Sequence, residues 1–168
     1  MSIEYLSMQA RAGANALQIF DSWVGAVNST EYEQAIFPHM KRIISTVKSR
    51  FPNLPLAMNG VGTDHLVSTW AKLPLDVIAL DWRSSLGAAK DRGVTQTVQG
   101  NLDPAYLYGD TKTIAKVVDE ILMDGVRHGK HVFNLGHGEF PEADPAKLHW
   151  LTDYVHEKSR ELWARESR

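Results

Sequence analysis

The feature that most constrains this chain is a repeated unit: a short apolar run that stops at polar residues, followed by a helical stretch. The runs fall at 16–20, 54–58, 75–80, 94–99 and 131–135. Strand-like runs separated by helices predict a parallel sheet with helical crossovers. A helix over residues 3–12, stopped by Gly13, precedes the first run. The fold class is therefore α/β, in one domain over residues 1–168. Two architectures satisfy the pattern, a doubly wound sheet and part of a (β/α)8 TIM barrel. A complete barrel takes eight strands and about 250 residues, so a chain of 168 residues with five strands supplies only part of one.

The helices are marked by their ends. Thr30 and Glu33 have capping-box spacing, and Pro38 breaks or restarts the helix that continues to about Arg50. A helix is expected from the Asn59–Gly62 loop to about Lys72, and a short one over 84–91. Asp103-Pro104 and Asp144-Pro145 each read as a cap followed by a first-turn proline. Asp110 or Thr111 caps a long helix to about Arg127, and an amphipathic helix follows Pro145 nearly to the end.

Composition narrows the function classes. The hydrophobic share of 43% is ordinary for a globular core, and the net charge of −2 supplies no basic field for nucleic acid. The chain has no cysteine, which removes disulfides and thiolate metal ligands. No apolar stretch approaches the roughly 20 residues that span a bilayer, and no signal peptide is apparent at Met1-Ser2-Ile3-Glu4-Tyr5. A cytoplasmic protein without membrane or nucleic-acid partners is the expectation.

The candidate chemistry lies where the apolar runs end, because α/β proteins keep their sites at the carboxyl ends of strands. The run at 131–135 leads into Gly136-His137-Gly138, a histidine presented between glycines. His137 suits proton handling near neutral pH; support of a turn, or a phosphate cradle, are the competing readings. Asp21 and Ser22 follow the first run. Ser22 suits hydrogen bonding to a carboxylate but lacks the G-x-S-x-G elbow of an acylating serine, and both residues also suit turn capping. Asp81 and Arg83 flank Trp82 after the third run. They either pair with each other or leave Arg83 to bind a carboxylate with its planar fork. Asn101 and Asp103 favour turn and cap roles over catalysis. Asn59-Gly60-Val61-Gly62 lacks the dinucleotide fingerprint, and the other six histidines form no metal-binding spacing.

Four of these segments, in order, resemble the uroporphyrinogen decarboxylase family: Leu17–Trp23, Leu80–Arg83, Gln99–Pro104 and Asn134–Gly138. The resemblance covers essentially all of this chain but only the C-terminal half of the family's length. It implies a (β/α)8 barrel that works as a homodimer and uses neither metal nor organic cofactor. It implies a carboxy-lyase that removes the acetate carboxyl groups of uroporphyrinogen III to give coproporphyrinogen III, a step of tetrapyrrole and heme synthesis. On that resemblance Ser22 and His137 line the tetrapyrrole cleft as the catalytic candidates, and Asp81, Arg83 and Asn101 join them in binding substrate. Asp21 matches a motif position as well.

Two departures accompany the match. The family's N-terminal half, with its arginine-rich substrate loop, pyrrole-gripping aspartate and tyrosine, has no counterpart here. A lysine–glycine loop of the family is replaced by Asn59-Gly60-Val61-Gly62. The isolated chain, whether fragment, truncated product or part of a split enzyme, is therefore expected to be inactive and to need that other half or a second copy. The alternatives are a non-catalytic partial barrel that binds a tetrapyrrole or a partner chain, and a methyltransferase relative. Such relatives hold zinc through histidine and cysteine, and this chain lacks cysteine.

Overall fold

The computed structural model describes residues 1–138 and 140–166. The chain begins with α1 (Ser2–Arg11) and β1 (Leu17–Phe20), then α2 (Ser29–Glu31) and α3 (Phe37–Arg50). β2 (Leu56–Asn59), α4 (Val67–Trp70), β3 (Val77–Ala79) and β4 (Thr97–Gln99) follow. α5 (Thr111–His128), β5 (His131–Val132) and α6 (Pro145–Glu166) complete it. The strands lie in chain order β1-β2-β3-β4-β5, and every neighbouring pair is parallel. All five carboxyl ends therefore gather along one edge, which makes this one curved wall of a barrel.

The strands follow the expected runs but are shorter. β5 covers only the start of 131–135, yet its pairing resumes at a Leu102–Leu135 bridge. Alternation separates two faces of the sheet. Leu17, Leu56, Met58, Ile78 and Val98 point to the helical side and join a core with Tyr32, Ile44, Leu66 and Trp70. Each such burial contributes about 1.5–3 kcal/mol. A second core lies farther along, where Ile114, Val118 and Leu122 of α5 meet Leu151 and Val155 of α6. The alternate residues face the barrel interior. At one level these are Gln18, Ala57, Val77 and Thr97; at the next, Phe20, Asn59, Ala79, Gln99 and Val132. Gln99 Nε2 donates to Gln18 Oε1 at 3.5 Å, across the two intervening strands.

Local differences from expectation have local causes. The cap at the second helical segment is Asn28, not Thr30: its side chain accepts from the Glu31 N–H at 2.9 Å. Glu33 is drawn away to Thr69 and Lys72. Before Pro38 the helix widens into a π-turn over Tyr32–Ile36, and the proline then occupies the first turn of α3. The helix expected to about Lys72 reduces to a 3-10 turn and the short α4. The helix expected over 84–91 is absent except for a 3-10 turn at Lys90–Arg92. Ser84 there donates to the Asp81 carboxylate, and Ser85 accepts from the Ala88 N–H. Asp110 rather than Thr111 caps α5, accepting from Thr113 at 2.8 Å. Asp103 and Asp144 cap as expected, accepting from Ala105 and Ala146 at 2.9 Å.

Candidate functional site

Each strand delivers one loop to the shared edge. The loops after β1 and β5 come together although Ser22 and His137 lie far apart in sequence. Both line a cavity of about 420 Å³ with Gln18, Phe20, Asn59, Val61, Asn134, Leu135 and Gly138. Both are exposed, so their polar atoms are available to a ligand. His137 carries one long contact of its own, Nδ1 to the Gly138 carbonyl at 3.4 Å. Two donors at the start of the loop are engaged. The Gly136 N–H donates to the Leu102 carbonyl at 2.7 Å, and the Leu135 N–H to Asn134 Oδ1 at 2.9 Å. The Gly136 N–H is therefore not free to join a phosphate cradle, which needs such donors.

Asp81 sits behind the rim, with no exposed surface. Its carboxylate accepts from the Gly62 N–H at 2.5 Å, the Arg83 N–H at 3.0 Å and the Ser84 hydroxyl at 3.4 Å. It also pairs with the Arg83 guanidinium at 3.3 Å. Of the two sequence readings of Asp81 and Arg83, internal pairing is the one observed. Arg83 nevertheless remains about half exposed, and its guanidinium lies 3.8 Å from the centre of the Trp82 ring. Asn101 is also buried. Its amide donates to the Asp81 carbonyl at 3.0 Å and to the Ser84 carbonyl at 2.7 Å. Asp81 and Asn101 thus tie the β3 and β4 loops together, and neither lines the cavity with Ser22 and His137.

Asp21 and Ser22 diverge, as neighbours on an extended segment do. Ser22 faces the cavity, whereas Asp21 lines a separate groove between β1, α1 and α3 with Tyr5, Met40 and Ile43. Burial there pushes the Asp21 carboxyl above its usual value. Gln18, Asn59 and Asn134 bring carboxamides to the cavity that the motif reading passed over. Strand alternation was the signal that points to them. Trp82 was passed over too. Its ring meets that of His137 edge to face, at 5.9 Å and 85°. Gly136 packs so closely on the Trp82 backbone that a Cβ has no room.

Against known proteins, the uroporphyrinogen decarboxylase family description matches residues 1–158. The chain belongs to the uroporphyrinogen decarboxylase family. Uroporphyrinogen decarboxylases of Staphylococcus aureus strains JH9 and Newman are each 47% identical over 156 residues, covering 93% of this chain and 45% of theirs. The chain thus spans about half the length of these curated relatives. Among solved structures, a methyltransferase from Methanosarcina mazei superposes with a TM-score of 0.76 at 17% identity. That match covers 96% of this chain and 46% of the other, and it speaks to the fold alone. Within the family frame, the partial-barrel reading of the sheet stands. No helix among the described residues is long and apolar enough to cross a membrane.

Proposed function

We propose that this chain forms one wall of a uroporphyrinogen decarboxylase-type active site, which removes acetate carboxyl groups from uroporphyrinogen III to give coproporphyrinogen III. The observation that carries the reading is the meeting of Ser22 and His137 in one cavity at the strand carboxyl ends, in a chain matched to the family over residues 1–158. The reaction needs an electron sink, and a pyrrole ring protonated on carbon is one. The bond from the side-chain methylene to the carboxyl group then breaks, carbon dioxide leaves, and the electron pair flows into the ring. The methylene carbon then takes up a proton, and the ring carbon gives up the one it first received, which restores the pyrrole. His137 has the chemistry to carry a proton to or from that centre. The Ser22 hydroxyl donates to a carboxylate oxygen, and the exposed donors of Arg83 attract the remaining carboxylates. Asp81 and Asn101 act indirectly, by holding the loops that present Arg83 and Trp82.

One wall does not enclose a tetrapyrrole. Phe20, Val132 and Asn134 face the interior and are exposed. The half of the relatives' length that this chain does not span is the complement such a wall requires. The same open face favours a second reading, a partial barrel that holds a partner chain or a tetrapyrrole without turnover. The test is conversion of uroporphyrinogen III by the chain alone and by the chain mixed with the N-terminal portion of a Staphylococcus aureus relative. Coproporphyrinogen III is expected from the mixture only, and it is expected to disappear with His137→Asn. A mixture that associates but never turns over supports the second reading.

A further inference from the structure

We infer that Trp82 is the positioning residue of His137, and that buried Asp81 acts on the rim through it by pinning Arg83 against the indole. His137 needs such support. It is exposed, and the hydrogen bond its ring makes among the described residues, to the Gly138 carbonyl, is at the long limit. Its ring meets the indole of Trp82 edge to face at 5.9 Å, an arrangement aromatic rings favour. The backbone reinforces the contact, because Gly136 packs directly on Trp82 where no side chain fits.

The indole is itself held. The Arg83 guanidinium lies 3.8 Å from its centre, the geometry of a cation–π contact. Arg83 is anchored in turn by Asp81, which no solvent reaches. Asp81 also fixes the Gly62 N–H and the Ser84 hydroxyl, so it cannot drift. The order Asp81, Arg83, Trp82, His137 therefore runs from the rigid interior to an exposed imidazole. An imidazole oriented in advance meets its ligand without first losing rotational freedom. Trp82 is not a catalytic residue in this account, because it works only through His137. The inference rests on the reading of His137 as a working rim group, but its geometric half is testable without any reaction.

The first experiment is proton NMR of the full chain, with the His137 ring signals identified by their loss in His137→Asn. Nuclear Overhauser contacts between the Trp82 indole protons and the His137 ring protons are expected in the unaltered chain; their absence overturns the inference. Trp82→Leu is expected to move the His137 signals to the positions of a free histidine, with the other histidine signals in place. Unmoved His137 signals overturn it. If Trp82→Leu fails to fold, the contacts in the unaltered chain decide. The second experiment uses the chain complemented by a relative's N-terminal portion. There Trp82→Leu should lower kcat severalfold with KM little changed, and Trp82→Phe should restore most of it. Equal losses in both variants overturn the positioning role. If the complemented chain never turns over uroporphyrinogen III, the decarboxylase reading fails and the NMR result still stands for this one.

Discussion

Asp81 shows how far a motif residue can lie from the role its neighbours suggest. It flanks exposed Arg83 and Trp82, yet it is itself a buried hub for four donors on three residues, Gly62, Arg83 and Ser84. Asp81→Ala leaves the Gly62 and Arg83 N–H groups without their acceptor. At roughly 0.5–1.5 kcal/mol net for each hydrogen bond, about 1–3 kcal/mol of stability should be lost, read as a lower urea midpoint. Asp81→Asn keeps one acceptor and should lose less than half of that. Gly136→Ala tests the opposite limit, too little space. Its new methyl group meets the Trp82 backbone, so His137 should be displaced from the cavity and activity in the complemented chain should fall at least tenfold. The residue identities at the rim were legible because four strand ends carried polar clusters. Which of them face a ligand was not, since burial depends on the loops packed behind them. The structural role favoured for Asn101 and the Asp81–Arg83 pairing fit the buried contacts that Asn101 and Asp81 make.

At the scale of elements, strand order and direction followed from the alternation of runs and helices, and the caps at Asp103, Asp110 and Asp144 followed from residue type. The segment 84–91 did not: Ser85 accepts from the Ala88 N–H as a helix cap does, yet only a 3-10 turn follows at Lys90–Arg92. The π-turn before Pro38 was also hidden, since it is the helix's accommodation to a proline inside its apolar pattern. The seam of β4, β5 and α5 carries a pH dependence. His131 is partly buried, and its Nε2–H donates to the Gly100 carbonyl at 2.7 Å. Burial and the nearby His128 hold its pKa below the usual 6.5, despite the opposing Gly100 bond. The folded state therefore favours the neutral ring. The stability this contributes is fully present above 6.5 and is lost as pH falls below that value. Thermal midpoints should drop between about pH 7 and pH 5, and His131→Gln should flatten the drop. An unchanged slope in the variant would assign the effect to another group.

For the whole molecule, the sequence indicated a partial barrel, and the five-stranded sheet is one. It leaves β1 and β5 as open edges, with Phe20 69% exposed and Val132 48% exposed on the interior face. Open edges and exposed apolar side chains invite association. The isolated chain is expected to elute as more than a monomer in size-exclusion chromatography with light scattering. Phe20→Lys should shift it toward monomer without lowering its unfolding free energy by more than about 1 kcal/mol, because little burial is lost. A wild-type chain that stays monomeric at high concentration would show that this face tolerates water.

The contact between Gln18 and Gln99 has a geometric consequence. Strands stand about 4.8 Å apart, so β1 and β4 in a flat sheet would be separated by about 14 Å, too far for two glutamine side chains to meet comfortably. They meet because the sheet is curled, and the residues beneath them on β2 and β3, Ala57 and Ala79, are small enough to permit it. Two methyl groups thus leave room for the curl, and the wall is already bent before anything closes against it. A complementary half meets a preformed mould and need not bend the wall as it docks.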